Sequence, residues 1–168
     1  EDSGSYRAGV SQRTFLRYLF LDTENWHIPH KGPQDGPAKL LWAAHTYAMH
    51  AWFTQDDSLL QHLLLLVDAA TATMIDRLEE QADGTLVIPF GQSWECGKGS
   101  NPTGYLASLR WGLRTAIELA ERLGKRTEKV PRWRDILARL ADYPTGPEGF
   151  RHTEELAPMP HRHWTHLM

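Results

Sequence analysis

The sequence predicts an all-α fold of helical hairpins, and two observations lead there. Apolar residues recur at helical spacing in five separate stretches, and the connections between those stretches alternate between long and short. The composition permits such a domain: of 168 residues, 41% are hydrophobic and 23% are charged, as in ordinary globular chains. The whole chain, 1–168, is therefore expected to form a single domain.

The first expected helix runs from Ser11 to Leu21, with Phe15, Leu16, Leu19 and Phe20 on one side. The second opens at Pro37, a favoured first-turn residue, and repeats Leu40, Leu41, Ala44, Tyr47, Ala48 and Ala51. The third starts at the capping pair Asp56 and Asp57 and carries Leu60, Leu63, Leu64, Val67, Met74 and Leu78. It is expected to continue to Asp83-Gly84. Its block Leu63 to Leu66 is apolar around most of the circumference, so burial on more than one side is expected. The fourth takes Thr103 as N-cap, buries Leu106, Leu109, Leu113, Ile117, Ala120 and Leu123, and ends at Gly124. Arg114, Glu118 and Arg122 repeat at i, i+4 on its solvated side. The fifth enters at Pro131, packs Trp133, Ile136, Leu137 and Leu140, and stops at Tyr143-Pro144. Within the connection before the fourth helix, Thr85 to Ile88 has the composition of a short strand.

Helices two and three are joined by little more than Gln55 and Asp56, and helices four and five by Lys125 to Val130. The other connections, Asp22 to Gly36, Asp83 to Pro102 and Asp142 onward, are each about 15 residues or longer, a length that usually marks function or disorder. Consecutive helices run up and down, so all three long connections are expected at one end. No sequence self-similarity accompanies the pattern, and helices so arranged form either a closed bundle or part of a larger ring.

Composition also excludes partners. Net charge is −3 and the Lys and Arg residues are scattered, so nucleic acid is not an expected partner. Cys96 is the sole cysteine, which rules out an internal disulfide and leaves the compartment open. The longest unbroken apolar stretch, Leu63 to Val67, is too short for a bilayer, and no membrane partner is expected. The start at Glu1 and the stop at Met168, directly after a dense His and Arg cluster, read as a segment of a longer protein.

The long connections concentrate carboxylates, imidazoles and indoles. The first holds Glu24, Asn25, Trp26, His27, His30 and Asp35, and the second holds Gln92, Trp94, Glu95 and Cys96. The third holds Glu148, His152, Glu154, Glu155, His161, Arg162, His163, Trp164 and His166. A shared face of this chemistry suits a sugar, whose C–H surfaces lie against indole planes while its hydroxyls bond to charged and amide groups. Glycoside hydrolysis needs two carboxyl groups, and Glu95 beside Trp94 is the candidate acid, because burial there raises a carboxyl pKa. The indoles equally serve to pin loops to helix ends, and Glu154-Glu155 reads as surface charge. Zinc is the competing reading of His161, His163 and His166, but no single regular conformation aligns all three as ligands. Arg162 and the imidazoles can instead donate hydrogen bonds to substrate hydroxyls or to a carboxylate. Neither a metal nor a cofactor is expected.

The stretch Pro160-His161-Arg162-His163-Trp164-Thr165-His166-Leu167 resembles the HRHxSHLY signature of glycoside hydrolase family 95, the inverting α-L-fucosidases and related enzymes. Thr165 stands in place of Ser and Met168 in place of Tyr. The resemblance covers roughly Gly36 to the C-terminus and implies an (α/α)6 toroid, a six-hairpin ring of which this chain forms part of the catalytic domain. It places Ser93-Trp94-Glu95 at the family's SPE position, which gives Glu95 the general acid role. Trp94 replaces the family's proline, and Asn101 to Gly104 lacks the family's aspartate near the start of the next helix. The resemblance puts the second catalytic carboxylate beyond Met168 and offers Asn25 as the counterpart of the family's water-positioning asparagines.

Two functions follow. One is an inverting glycoside hydrolase, with Glu95 as general acid and Trp26, Gln92, Trp94, His161, Arg162, His163 and His166 binding the carbohydrate. The remainder of the same catalytic domain is then its partner. The other is a non-catalytic carbohydrate-binding or scaffold domain.

Overall fold

A computed structural model describes residues 36–92 and 97–158. By its contacts the chain divides into two units, 1–33 and 34–168, and every described residue belongs to the second. The expected first helix, Ser11 to Leu21, lies outside the described residues.

The described part is mainly helical. Helices α1 (Gly36–Thr54), α2 (Asp57–Ile75), α3 (Thr103–Leu123) and α4 (Val130–Arg139) follow in order, with a 3-10 turn at Thr127–Lys129 before α4. Three small antiparallel hairpins lie in the connections. Strand β1 (Glu79–Glu80) pairs with β2 (Leu86–Val87), β3 (Gly91–Gln92) with β4 (Lys98–Gly99), and β5 (Thr145–Gly146) with β6 (Gly149–Phe150).

The α1–α2 turn has the length the sequence predicts. Asp56 is the N-cap of α2, and its carboxylate accepts the Ser58 N–H at 2.8 Å, which lowers its pKa. Helix α2 lies between α1 and α3, and α3 touches α1 and α4 as well. Burial of Leu60, Leu63, Leu64, Leu66 and Val67 on two sides follows from that central place, while Leu65 is half exposed. By length and composition α2 also passes as a membrane span, with mean hydropathy 1.5. Its leucines are instead spent on α1 and α3, and it carries the buried Asp68, whose carboxylate takes the Lys129 ammonium at 2.7 Å and the Arg126 guanidinium at 3.5 Å. The unbroken apolar run does not register this span-like composition, which belongs to the helix as a whole, and about half of its apolar window is buried within the protein.

Close approach of the three long helices centres on Gly112. A Cβ there would stand 2.6 Å from Thr71 Cγ2 and 2.9 Å from Leu41 Cδ2. Leu41, Leu106, Leu109 and Leu113 fill the core around it.

Three boundaries differ from the sequence reading. Helix α2 stops at Ile75, not at Asp83-Gly84, because Glu79 and Glu80 leave it to pair with Leu86 and Val87. The strand expected at Thr85 to Ile88 thus forms, with a partner the helical pattern had hidden. Its turn uses Gly84 at φ +85°, and Asp83 accepts the Thr85 N–H at 2.9 Å. Thr103 is not the N-cap of α3. That place belongs to Pro102, and Thr103 is tied to the third connection: its N–H donates to His152 O at 3.0 Å and its hydroxyl to Arg151 O at 2.6 Å. Finally, α4 ends at Arg139, because Leu140 turns extended and bridges to Leu86, with the Ala141 N–H donating to Leu86 O at 2.9 Å.

Candidate functional site

Contacts distinguish two ends of the helices. At the tight end the last turn of α3 meets the α1–α2 turn: Arg122 lies 3.5 Å from Asp57 and bonds to Gln55, and Lys125 bonds to Gln61. At the other end the second and third connections are fastened to each other. Besides the Thr103 and Ala141 bonds, Arg139 donates to Gly84 O at 2.9 Å and meets Glu80 at 2.7 Å. Two of the three long connections therefore share one end, as their alternation implies. The first connection, with Trp26, lies outside the described residues.

Of the expected site residues, Trp26, Trp94, Glu95, His161, Arg162, His163 and His166 lie outside the described residues. Gln92 belongs to β3, opposite Lys98, so it borders the connection that carries Glu95. His152 is 1% exposed and sits under the loop face, with its N–H donating to Leu156 O at 3.0 Å. It is part of the loop's core rather than of an open face.

Glu154 and Glu155 do more than decorate the surface. Although exposed, they hold the second connection. The Ser100 hydroxyl lies 2.6 Å from Glu155 Oε1 and 3.0 Å from Glu154 Oε2, and the Ser100 N–H donates to Glu155 Oε2 at 2.9 Å. The Asn101 amide donates to Glu154 Oε1 at 2.5 Å. Asn101 is 2% exposed with φ +46°, a left-handed conformation that asparagine tolerates better than most residues. Its backbone N–H donates to Ile88 O, and its side-chain oxygen accepts the Ile88 N–H, each at 2.8 Å. One buried amide thus ties together the β2 end, the start of α3 and Glu154.

These bonds lower the pKa of Glu155. The Ser100 hydroxyl has the largest influence and, with the Ser100 N–H, holds its carboxyl below the ordinary value against the opposing effect of burial. A group that must carry a proton near neutral pH needs the opposite shift, so Glu155 acts as a hydrogen-bond acceptor.

No family model and no curated protein matches this chain.

Between the same connections lies an open cleft of about 590 Å³. Asp83, Asp142 and Glu154 line it with carboxylates, Gln81 and Asn101 with amides, and Thr85 and Ser100 with hydroxyls, while Pro89, Tyr143 and Pro144 give apolar surface. Among the described residues no Lys, Arg or His lines it. Tyr143 is braced from behind, with the Arg110 guanidinium 5.2 Å from its ring centre and Phe150 edge-on at 5.8 Å. Arg110 in turn donates to Leu140 O at 3.1 Å and Ala141 O at 2.6 Å. An anionic ligand about 4 Å from any one of these carboxylates would meet about 1 kcal/mol of repulsion even in water. Neutral hydroxylated ligands escape that cost and find many acceptors.

Among the described residues no cluster of His, Cys, Asp and Glu has a geometry able to hold a metal ion. Sequence reasoning missed Ser100, Asn101 and Tyr143. The Asn101-Pro102-Thr103 run was the available signal, since an asparagine before Pro marks a turn.

Proposed function

We propose that the chain is part of the catalytic domain of an inverting glycoside hydrolase, α-L-fucosidase-like or related, with its hairpins belonging to an (α/α)6 toroid. Glu95 acts as general acid and protonates the leaving oxygen. Trp26, Gln92, Trp94, His161, Arg162, His163 and His166 bind the carbohydrate, and the remainder of the same domain supplies the second carboxylate and the rest of the ring. No cofactor enters the reaction.

One observation carries this reading: the connection that bears Glu95 is bonded, through Ser100, Asn101 and Thr103, to the segment that leads into His161 to His166. The described parts of these two connections, far apart in sequence, are thus fastened together at one end of the helices, which supports the reading. The neutral and acidic lining of the adjacent cleft supports a hydroxyl-rich ligand.

The test is Glu95→Gln in the complete protein. An amide cannot protonate a leaving oxygen, so turnover of an unactivated glycoside should fall by about 10²- to 10⁴-fold while binding is retained. The fall should be smaller for a glycoside with a good leaving group. Wild-type turnover in the variant would refute the acid assignment and move attention to Glu154. Binding of sugar by wild type with no hydrolysis at all would favour a carbohydrate-binding domain.

A further inference from the structure

The cleft between the second and third connections is held open by bonds across its base. One wall follows the β1–β2 turn and β2, the other runs from Ala141 to Pro144, and the Ala141 N–H joins them at Leu86 O, 2.9 Å away. A clasp closes the far side, where Glu154 and Glu155 hold Ser100 and Asn101. Its volume of about 590 Å³ falls within the range of about 300–1,000 Å³ usual for pockets that take small organic ligands.

Tyr143 gives the cleft an aromatic surface fixed in advance. The Arg110 guanidinium lies 5.2 Å from its ring centre, Phe150 stands edge-on at 5.8 Å, and Arg110 is itself bonded to Leu140 O and Ala141 O. A ring so held loses little freedom on binding, and it offers the C–H face of a pyranose a flat apolar partner.

Charge supplies the second feature. The Asp83 carboxyl is held below its ordinary value, first by the Thr85 N–H, so it is ionised at neutral pH. Glu154 is bonded to neutral donors, the Ser100 hydroxyl and the Asn101 amide. Asp142 is partly offset by Arg110, 3.8 Å away. Carboxylates only accept, but Asn101 can also donate. Among the described residues its buried carboxamide commits one hydrogen to Glu154 and one lone pair to the Ile88 N–H, and such a group has two of each. The pair left over matches a sugar hydroxyl, which both donates and accepts.

We propose that this cleft is a saccharide subsite that selects neutral sugars over acidic ones, with Tyr143 as the stacking platform and Asp83 and Glu154 as the charges that turn carboxylated or sulfated sugars away. The inference rests on the fucoside reading above, but neither on Glu95 nor on hydrolysis.

The probes are sulfur-linked α-L-fucosyl-(1→2)-galactose, which resists cleavage, and its counterpart with galacturonic acid in place of galactose, each titrated into the complete protein. At saturation the neutral disaccharide should slow amide exchange at residues 83–87 and 141–143. Tyr143→Ala should weaken its binding by about 10-fold or more, while Tyr143→Phe should stay within about twofold of wild type. The acidic disaccharide should bind wild type about fivefold more weakly at low salt, the effect of two unit charges about 4 Å apart in water, and about 0.5 M salt should shrink that gap. Asp83→Asn, whose amide oxygen still accepts the Thr85 N–H, should narrow it by about twofold. Protection confined to residues outside the cleft, or full affinity in Tyr143→Ala, would overturn the site while leaving the fucoside reading in place. Equal or tighter binding of the acidic disaccharide, or a gap indifferent to salt and to Asp83→Asn, would overturn the selection by charge. Should Tyr143→Ala lose the exchange protection of α3, the mapping and Asp83→Asn still decide. If wild type bound neither disaccharide, the subsite and the fucoside reading would fall together.

Discussion

Asp68 sits in the middle of an otherwise apolar helix, with its side chain 9% exposed. It is tolerated there because Lys129 reaches both its oxygens at 2.7 Å and Arg126 lies 3.5 Å away, so the charge is buried with its partners. Both cations are partly solvated and can return to water if the carboxylate is removed. Asp68→Asn should therefore cost about 1.5–3 kcal/mol, the range for hydrogen bonds to charged groups, rather than the larger penalty of an orphaned buried ion. Denaturant melts measure this, and an unchanged midpoint would mean that the pair contributes nothing. Glu155 makes a pH-dependent contribution of defined sign. Its folded-state pKa lies below its ordinary 4.5, so the clasp contributes fully above that value and is lost as pH falls through the lower, folded one. Melting temperatures followed from about pH 6 to about pH 3 should fall less steeply in Glu155→Gln than in wild type. Parallel curves would remove Glu155 from the acid response.

At the scale of elements, the helix crossings depend on a missing side chain. Gly112 lies inside α3, where alanine has about 1 kcal/mol better intrinsic propensity, yet a Cβ there would press on Thr71 and Leu41. Thr71 cannot turn away cheaply, because its hydroxyl donates to Val67 O at 2.7 Å and lies 3.0 Å from Asp68 O. Overpacking of such a contact costs about 1–3 kcal/mol. Gly112→Ala should therefore destabilise on balance, by up to about 2 kcal/mol in denaturant melts, and a stabilised variant would show that the crossing has room. The small hairpins have a different origin. Two-residue strands such as β1 and β2 are too short to stand alone. They persist because Leu86 and Ile88 are buried and because Leu86 bridges to Leu140.

Across the whole described part, one face of α1 stands out. Trp42, Met49 and Phe53 are 52%, 58% and 90% exposed, and their spacing of seven and four places them in one stripe. Half-exposed Leu65 adds to the apolar surface on α2. The only Lys, Arg, Asp or Glu in α1 is Lys39. Solvated helix faces are rarely so free of charge, and the toroid reading expects a further hairpin to cover such a stripe. The isolated chain should bind hydrophobic dye and associate with rising concentration, and replacing Met49 and Phe53 with Gln should reduce both effects. A monodisperse wild-type monomer without dye binding would favour a self-contained bundle.

Apolar periodicity and end signals alone determined the all-α class, the places of four helices, the Asp56 cap, the Gly124 stop and the alternation of short and long connections. These features are local, written in residues within a turn or two of one another. What lay beyond the sequence was set by partners distant along the chain. Glu79 and Glu80 continue a helical pattern but pair as a strand, since Leu86 and Val87 offer a ladder that local propensity does not register. Thr103 has the chemistry of an N-cap, yet its hydroxyl serves the backbone of Arg151. Glu154 and Glu155 read as solvated charge until the fold brings them to Ser100 and Asn101, some fifty residues away. Only the tertiary structure could decide that, because a hydrogen bond depends on a few ångströms in space and leaves no periodic mark in the chain.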